Sequence, residues 1–97
     1  MNNIREVVVV SGVRTAVGDF GGSLKDFAPT ELAARCVREA LSRAKLAPEE
    51  VGHVVFGNVL HTESKDMYFS RVCAINGGIP KEVPALTLNR LCGSWPL

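Results

Sequence analysis

The residue of this chain best placed for chemistry is a cysteine near its end. Asn89-Arg90-Leu91-Cys92-Gly93-Ser94 follows the strand-like run Val83-Pro84-Ala85-Leu86-Thr87-Leu88, so a thiol sits where an extended segment must turn. Gly93 lets the backbone bend without a side-chain clash. Ser94 suits the capping position of a following helix. A cysteine at such a junction points its sulfur at free backbone N–H groups, and those groups with the helix dipole stabilise a thiolate. That is the setting of an activated nucleophile. The competing reading of Cys92 is a buried structural thiol, the common fate of a free cysteine.

The other reactive side chains read as structural. Cys36 lies on the apolar stripe of a helix and Cys73 in a second apolar helical segment. Both are read as small core residues. Three cysteines, an odd number without short paired spacing, argue against a disulfide framework or a zinc site. They favour a reducing compartment, with the cytoplasm as the expected location. His53 flanks a strand and His61 follows it, and neither is assigned as a base for Cys92. Arg14 sits in a glycine-rich stretch. It invites an anion-binding reading, but glycines leave many carbonyls in need of donors, and the preferred role is a structural one bonded to them.

The elements that must position Cys92 follow from hydrophobic period. Val7-Val8-Val9-Val10 is a continuous β-branched run, expected as a parallel-sheet strand buried on both faces. Ser11 to Phe27 is a long connection holding Gly12, Gly18, Gly21 and Gly22. It exceeds the usual βα loop and is expected to be functional or to cover an interface. It carries neither phosphate-loop nor dinucleotide-binding spacing. Pro29 to Lys45 is the clearest helix, with proline in the first turn. Leu32, Ala33, Cys36, Val37, Ala40, Leu41 and Ala44 fall on one stripe. Glu31, Arg35, Glu39 and Arg43 alternate in sign at i, i+4 and read as a solvated face. Pro48 ends the unit. Val51 to Leu60 contains the next strand, centred on Val54-Val55-Phe56, which makes a βαβ unit. Glu63 to Asp66 reads as a polar loop. Met67 to Asn76 reads as a second helix, apolar over most of its circumference and stopped by Gly77-Gly78. The third strand then delivers Cys92. The expected fold class is α/β, β-α-β-α-β with a mixed sheet covered by helices.

Composition sets the outer bounds. Ninety-seven residues make one domain or a piece of one. Apolar residues are 46% and charged residues 22%, ordinary for a globular protein. The formal net charge of +1 gives no electrostatic case for nucleic acid or an acidic membrane surface. No apolar run approaches the ~18 residues of a membrane span. The first six residues lack the apolar core of a secretory signal.

Asn89 to Ser94 resembles the nucleophile motif of the thiolases. The opening resembles them too, through Val7–Val10, Ser11-Gly12-Val13-Arg14-Thr15-Ala16-Val17-Gly18 and Phe20-Gly21-Gly22-Ser23-Leu24, as does Phe56-Gly57-Asn58-Val59-Leu60. The pieces come in family order at family-like spacing over nearly the whole chain. The pattern departs at Trp95-Pro96-Leu97, where the family has a small residue and then the body of a helix. Residues 1–97 are therefore read as a partial thiolase-like N-terminal domain.

The resemblance implies that Cys92 is acylated by an acyl-CoA or 3-ketoacyl-CoA thioester. A second substrate then takes the acyl group: CoA in degradation, an acetyl-CoA carbanion in synthesis. It implies CoA thioesters as substrates and no permanently bound cofactor. Partners would be acyl-CoA and CoA, not nucleic acid or membrane, in a parent enzyme that is a homodimer or homotetramer. Cys92 is the family's catalytic residue carried over here, with its own N–H as an oxyanion donor. The family's activating histidine, second catalytic cysteine and CoA-binding insertion match nothing in these residues. This chain by itself is accordingly expected not to turn over. Two other readings are a condensing enzyme of the ketoacyl synthase kind and a non-catalytic interaction or dimerisation fragment. Val13-Arg14-Thr15-Ala16-Val17-Gly18 favours thiolase over synthase. Met67, Tyr68 and Phe69 group large apolar side chains after a charged loop and are expected to face a partner subunit.

Overall fold

A computed structural model describes residues 4–94. Its elements are α1 (Pro29–Ala44), β1 (Val54–Gly57), α2 (Phe69–Asn76) and β2 (Ala85–Leu88). Single 3-10 turns at Pro48–Glu50 and Ser64–Tyr68 precede β1 and α2. The two strands pair in parallel, Val54 opposite Ala85 through Gly57 opposite Leu88. The connection between them runs through α2, the layout of an α/β unit.

α1 forms as its sequence dictates. Pro29 occupies the first turn, and the helix stops at Lys45, whose left-handed φ of 57° lets its N–H reach the carbonyls of Leu41 and Ser42. Its outer face holds the pairs Arg35–Glu31 at 3.4 Å and Arg43–Glu39 at 2.7 Å, both solvent-exposed. Such pairs each contribute about 0.2–0.5 kcal/mol. Its inner face packs on α2. Gly77, at the end of α2, makes that approach possible: a Cβ there would stand 2.6 Å from Val37 Cγ1. Arg38 of α1 donates to the Asn76 carbonyl at 2.6 Å, satisfying one of the carbonyls left open where α2 ends.

The core lies between the helices and the sheet. Ala33, Phe69 and Cys73 form one cluster, and Val54, Ala74 and Ile79 another, joined by Phe56. Phe56 meets Phe69 edge to face at 5.5 Å, a geometry favoured by the ring quadrupoles. α2 is clipped to the sheet by two hydroxyls. Ser70, fully buried, accepts from the Phe56 N–H at 2.9 Å and donates to the Leu86 carbonyl at 2.6 Å. Thr87 Oγ1 accepts the Ser70 N–H at 2.9 Å, so a strand residue satisfies an open donor in the first turn of α2.

Three expectations need correction. Val7–Val10 is extended but belongs to no strand among the described residues, and its side chains are 62–90% exposed. A run apolar on both faces needs cover on both sides, and here the helix layer packs around β1 and β2 only. The sheet is parallel, not mixed, among the described residues. The strand expected within Val51–Leu60, centred on Val54-Val55-Phe56, forms over Val54–Gly57 as read. The second helix begins at Phe69, because Ser64–Tyr68 winds as a 3-10 turn around the buried Asp66. α2 itself is one-sided: Phe69, Ser70, Cys73 and Ala74 are buried, while Ile75 is exposed.

Candidate active site

Parallel strands leave their carboxyl ends open, and that is where α/β folds place their chemistry. Here two segments meet at that end. The ladder runs one step past the sheet, with the Asn58 N–H donating to the Leu88 carbonyl at 3.0 Å. From there β1 leads into the loop 58–66 and β2 into the turn 89–94. Asn89 Nδ2 ties the two, donating to the Val59 carbonyl at 3.2 Å.

The turn carrying Cys92 is closed by a dense set of local bonds. Gly93 N–H donates to the Arg90 carbonyl at 3.0 Å and Ser94 N–H to the Leu91 carbonyl at 3.1 Å. Ser94 Oγ accepts the Arg90 N–H and donates to the Leu91 carbonyl, each at 2.8 Å. Asn89 Oδ1 accepts the Leu91 N–H at 2.9 Å. Leu91 is left-handed, with φ of 48°. The turn sits directly on the end of β1, where a Cβ on Gly57 would come within 2.8 Å of Ser94 Cβ. Glycine at 57 therefore sets how close the turn lies to the sheet.

Cys92 is exposed, whereas Cys36 is half-buried and Cys73 buried. Burial, with the nearby Asp66 charge adding to it, pushes the Cys73 thiol up to about 12. Its Sγ faces the Thr30 carbonyl at 3.9 Å, so Cys73 is an inert core group, as its sequence context predicts. Among the described residues no protein acceptor is found for the Cys92 N–H. Neither His53 nor His61 hydrogen-bonds to Cys92. Arg14 donates to the Thr15 carbonyl at 2.9 Å, in line with its structural reading. The helix that Ser94 was expected to cap would be built from residues 95–97, which lie outside the described part. Ser94 instead closes the turn.

Asp66 was not marked by the sequence reading, yet it organises the neighbouring loop. Its buried carboxylate accepts the Thr62 N–H at 2.7 Å, the Thr62 hydroxyl at 2.8 Å and the Glu63 N–H at 3.3 Å. The Thr62 N–H is the main reason its acidity lies below the usual carboxylate range; burial opposes the shift, and the Thr62 hydroxyl, the Glu63 N–H and the His61 charge assist it. The Asp66 carbonyl accepts from Asn58 Nδ2 at 3.4 Å, linking this loop back to the end of β1. A threonine four residues before an aspartate is the signal the sequence offers, where Glu63 to Asp66 reads only as a polar loop.

Residues 7–95 match the family model described as "Thiolase, N-terminal domain". The chain belongs to the thiolase family. It is 69% identical over 90 residues to the beta-ketothiolase BktB of Cupriavidus necator, covering 93% of this chain and 23% of that protein. It is 50% identical over 91 residues to human mitochondrial 3-ketoacyl-CoA thiolase, covering 94% of this chain and 23% of the human one. The crystal structure of the human enzyme in complex with CoA superposes with a TM-score of 0.83 at 49% identity, over 87% of this chain and 21% of that one. Bacillus anthracis acetyl-CoA acetyltransferase gives 0.83 at 34% identity, over 90% of this chain and 22% of its own. This thiolase segment thus spans under a quarter of the length of those relatives. The α/β class read from the sequence is the thiolase class. The likeness extends over most of the described chain, including the extended Val7–Val10 region within the matched family range.

Proposed function

We propose that this chain is the nucleophile-bearing segment of a thiolase that moves acyl groups between CoA thioesters through an acyl-Cys92 intermediate. The observation that carries the reading is the position of Cys92. It is exposed, it follows a parallel strand, and it stands in a turn locked to the sheet's carboxyl end inside a chain of this family. In synthesis the Cys92 thiolate attacks the thioester carbonyl of an acyl-CoA, the carbonyl oxygen takes up negative charge, and CoA thiolate leaves with the acyl group now on sulfur. In thiolysis it attacks the 3-keto carbonyl, the C2–C3 bond breaks, and the acetyl-CoA carbanion leaves and is protonated. Thioester exchange is nearly neutral in energy, which suits a thiol nucleophile. The acyl group then passes to CoA in thiolysis or to an acetyl-CoA carbanion in synthesis. The Cys92 N–H, for which no protein acceptor is found among the described residues, supports a donor role toward the oxyanion. CoA thioesters are the substrates on this reading, and no resident cofactor is invoked.

Two further features extend the proposal. Met67 and Tyr68 are 62% and 61% exposed, which supports a partner subunit covering them in a homodimer or homotetramer. Phe69, grouped with them in the sequence, belongs to the core instead. The free thiols support a reducing compartment, for which the cytoplasm is proposed; the human relative is named as mitochondrial.

The test is a graft. Residues 4–94 replace the matching segment of the C. necator ketothiolase, with and without Cys92→Ser. The graft should cleave acetoacetyl-CoA in the presence of CoA, and the serine variant should lose that activity at least a hundredfold. A folded graft that keeps its activity after Cys92→Ser would refute the assignment.

A further inference from the structure

Two polar side chains flank Cys92 and close on the same neighbour. Asn89 Oδ1 holds the Leu91 N–H at 2.9 Å, and Ser94 Oγ holds the Leu91 carbonyl at 2.8 Å. Leu91 is thereby gripped at both ends of its backbone. It adopts φ of 48°, a region that an L-residue with a branched side chain enters only when its surroundings force it. Its own side chain does none of the holding, since it is 67% exposed. Asn89 also reaches across to the Val59 carbonyl, so the grip is anchored to the loop after β1 and not only to its own turn. The peptide that follows Leu91 carries the N–H and Cα of Cys92, and its direction is set by the Leu91 dihedral angles.

We propose that Asn89 is a positioning residue for the nucleophile: it forces Leu91 into the left-handed conformation and thereby aims Cys92, with Ser94 as the opposing half of the bracket. This rests on Cys92 being the acylated residue. The conformation itself is measured independently of that chemistry. The two bonds of Asn89 have separable roles. The one to the Leu91 N–H shapes the turn, and the one to the Val59 carbonyl fixes the turn's place on the sheet.

The experiment uses the full chain and its variants Asn89→Ala, Asn89→Asp, Leu91→Gly and the double variant Asn89→Ala with Leu91→Gly. A strong intraresidue amide-to-α-proton NOE at Leu91 reports positive φ. The iodoacetamide rate of Cys92, referred to that of Cys36 in the same molecule, reports thiol presentation. Asn89→Ala should lose the NOE and change the Cys92 to Cys36 rate ratio at least threefold. Asn89→Asp keeps an acceptor for the Leu91 N–H and should keep the NOE. Glycine enters positive φ without steric cost, so the double variant should return the rate ratio to within about twofold of the parent. Loss of a merely stabilising bond would not be repaired by a glycine, which loosens the chain further. Retention of the NOE in Asn89→Ala, an unchanged rate ratio, or failure of the glycine to restore it would each overturn the proposal. Incubation of the C. necator ketothiolase graft carrying residues 4–94 with acetyl-CoA, followed by mass analysis of the Cys92 peptide, separately judges the nucleophile reading. Absent acetylation counts against that reading, while the NOE and the rate ratio still decide the role of Asn89.

Discussion

Replacing Ser70 by alanine removes one oxygen and two buried hydrogen bonds. The hydroxyl lies across the sheet at the level where Phe56 stands opposite Thr87, taking the Phe56 N–H and giving to the Leu86 carbonyl. A neutral buried bond contributes about 1 kcal/mol net, so Ser70→Ala should cost about 2 kcal/mol. Thr87→Val keeps the shape of the side chain and removes the acceptor for the Ser70 N–H. It leaves an open donor at the helix start, at a cost of about 1 kcal/mol, in the range of a lost helix cap. The two hydroxyls share the Ser70 residue and the same strands, so the double variant should show a coupling of about 0.5–1.5 kcal/mol. Urea unfolding followed by far-UV circular dichroism gives all four stabilities. Strict additivity, or a cost below about 0.5 kcal/mol for Ser70→Ala, would show that the hydroxyls do not act as one clip.

Gly57→Ala places a methyl group 2.8 Å from Ser94 Cβ and should destabilise the chain by about 1–3 kcal/mol, read by the same urea titration. It should also change the Cys92 alkylation rate, because the turn must lift off β1. Asp66 is more acidic in the folded chain than in the unfolded one, so its stabilising contribution is present above the unfolded pKa of 3.8. That contribution is lost as pH falls through the lower folded value, and Asp66→Asn should flatten the acid limb of a stability-against-pH curve. The Cys73 thiol moves from 9.0 to about 12 on folding. The contribution from its protonated, buried form is therefore complete below pH 9.0 and is lost as pH rises toward 12. Alkylation in native buffer should reach Cys92 first and Cys73 only on unfolding, a sequence that peptide mapping reads directly.

The parts legible in the sequence were those decided by local pattern. Pro29, the apolar stripe through Ala33 and Val37 and the alternating charges define α1 within one residue of its observed end. Cys73 was readable as core because it lies among apolar residues at helical spacing. What escaped were interactions between elements. Ser70 and Thr87 look like ordinary polar interruptions until helix and strand are brought together. Asp66 looks like loop polarity until its carboxylate is seen to gather Thr62 and Glu63. Leu91 gives no sign of positive φ, because leucine has no preference for it; only the bonds from Asn89 and Ser94 reveal it. The valine run shows the reverse case. Its composition is that of a buried strand, but burial also requires neighbours, and a run of four valines does not specify which segments cover them.

The cap that Thr87 supplies to α2 comes from 17 residues further along the chain than the N–H it satisfies. Most helix starts are closed by a residue adjoining them and can form as soon as that segment exists. The start of α2 must instead wait for β2. Closing that loop costs chain entropy before the bond returns anything, so the first turn of the helix should be frayed early in folding and settle only when the strand docks. The same event seats the strand whose end carries the nucleophile. Protection of the Ser70 amide against hydrogen exchange would therefore act as a clock for the moment at which the Cys92 turn acquires its support.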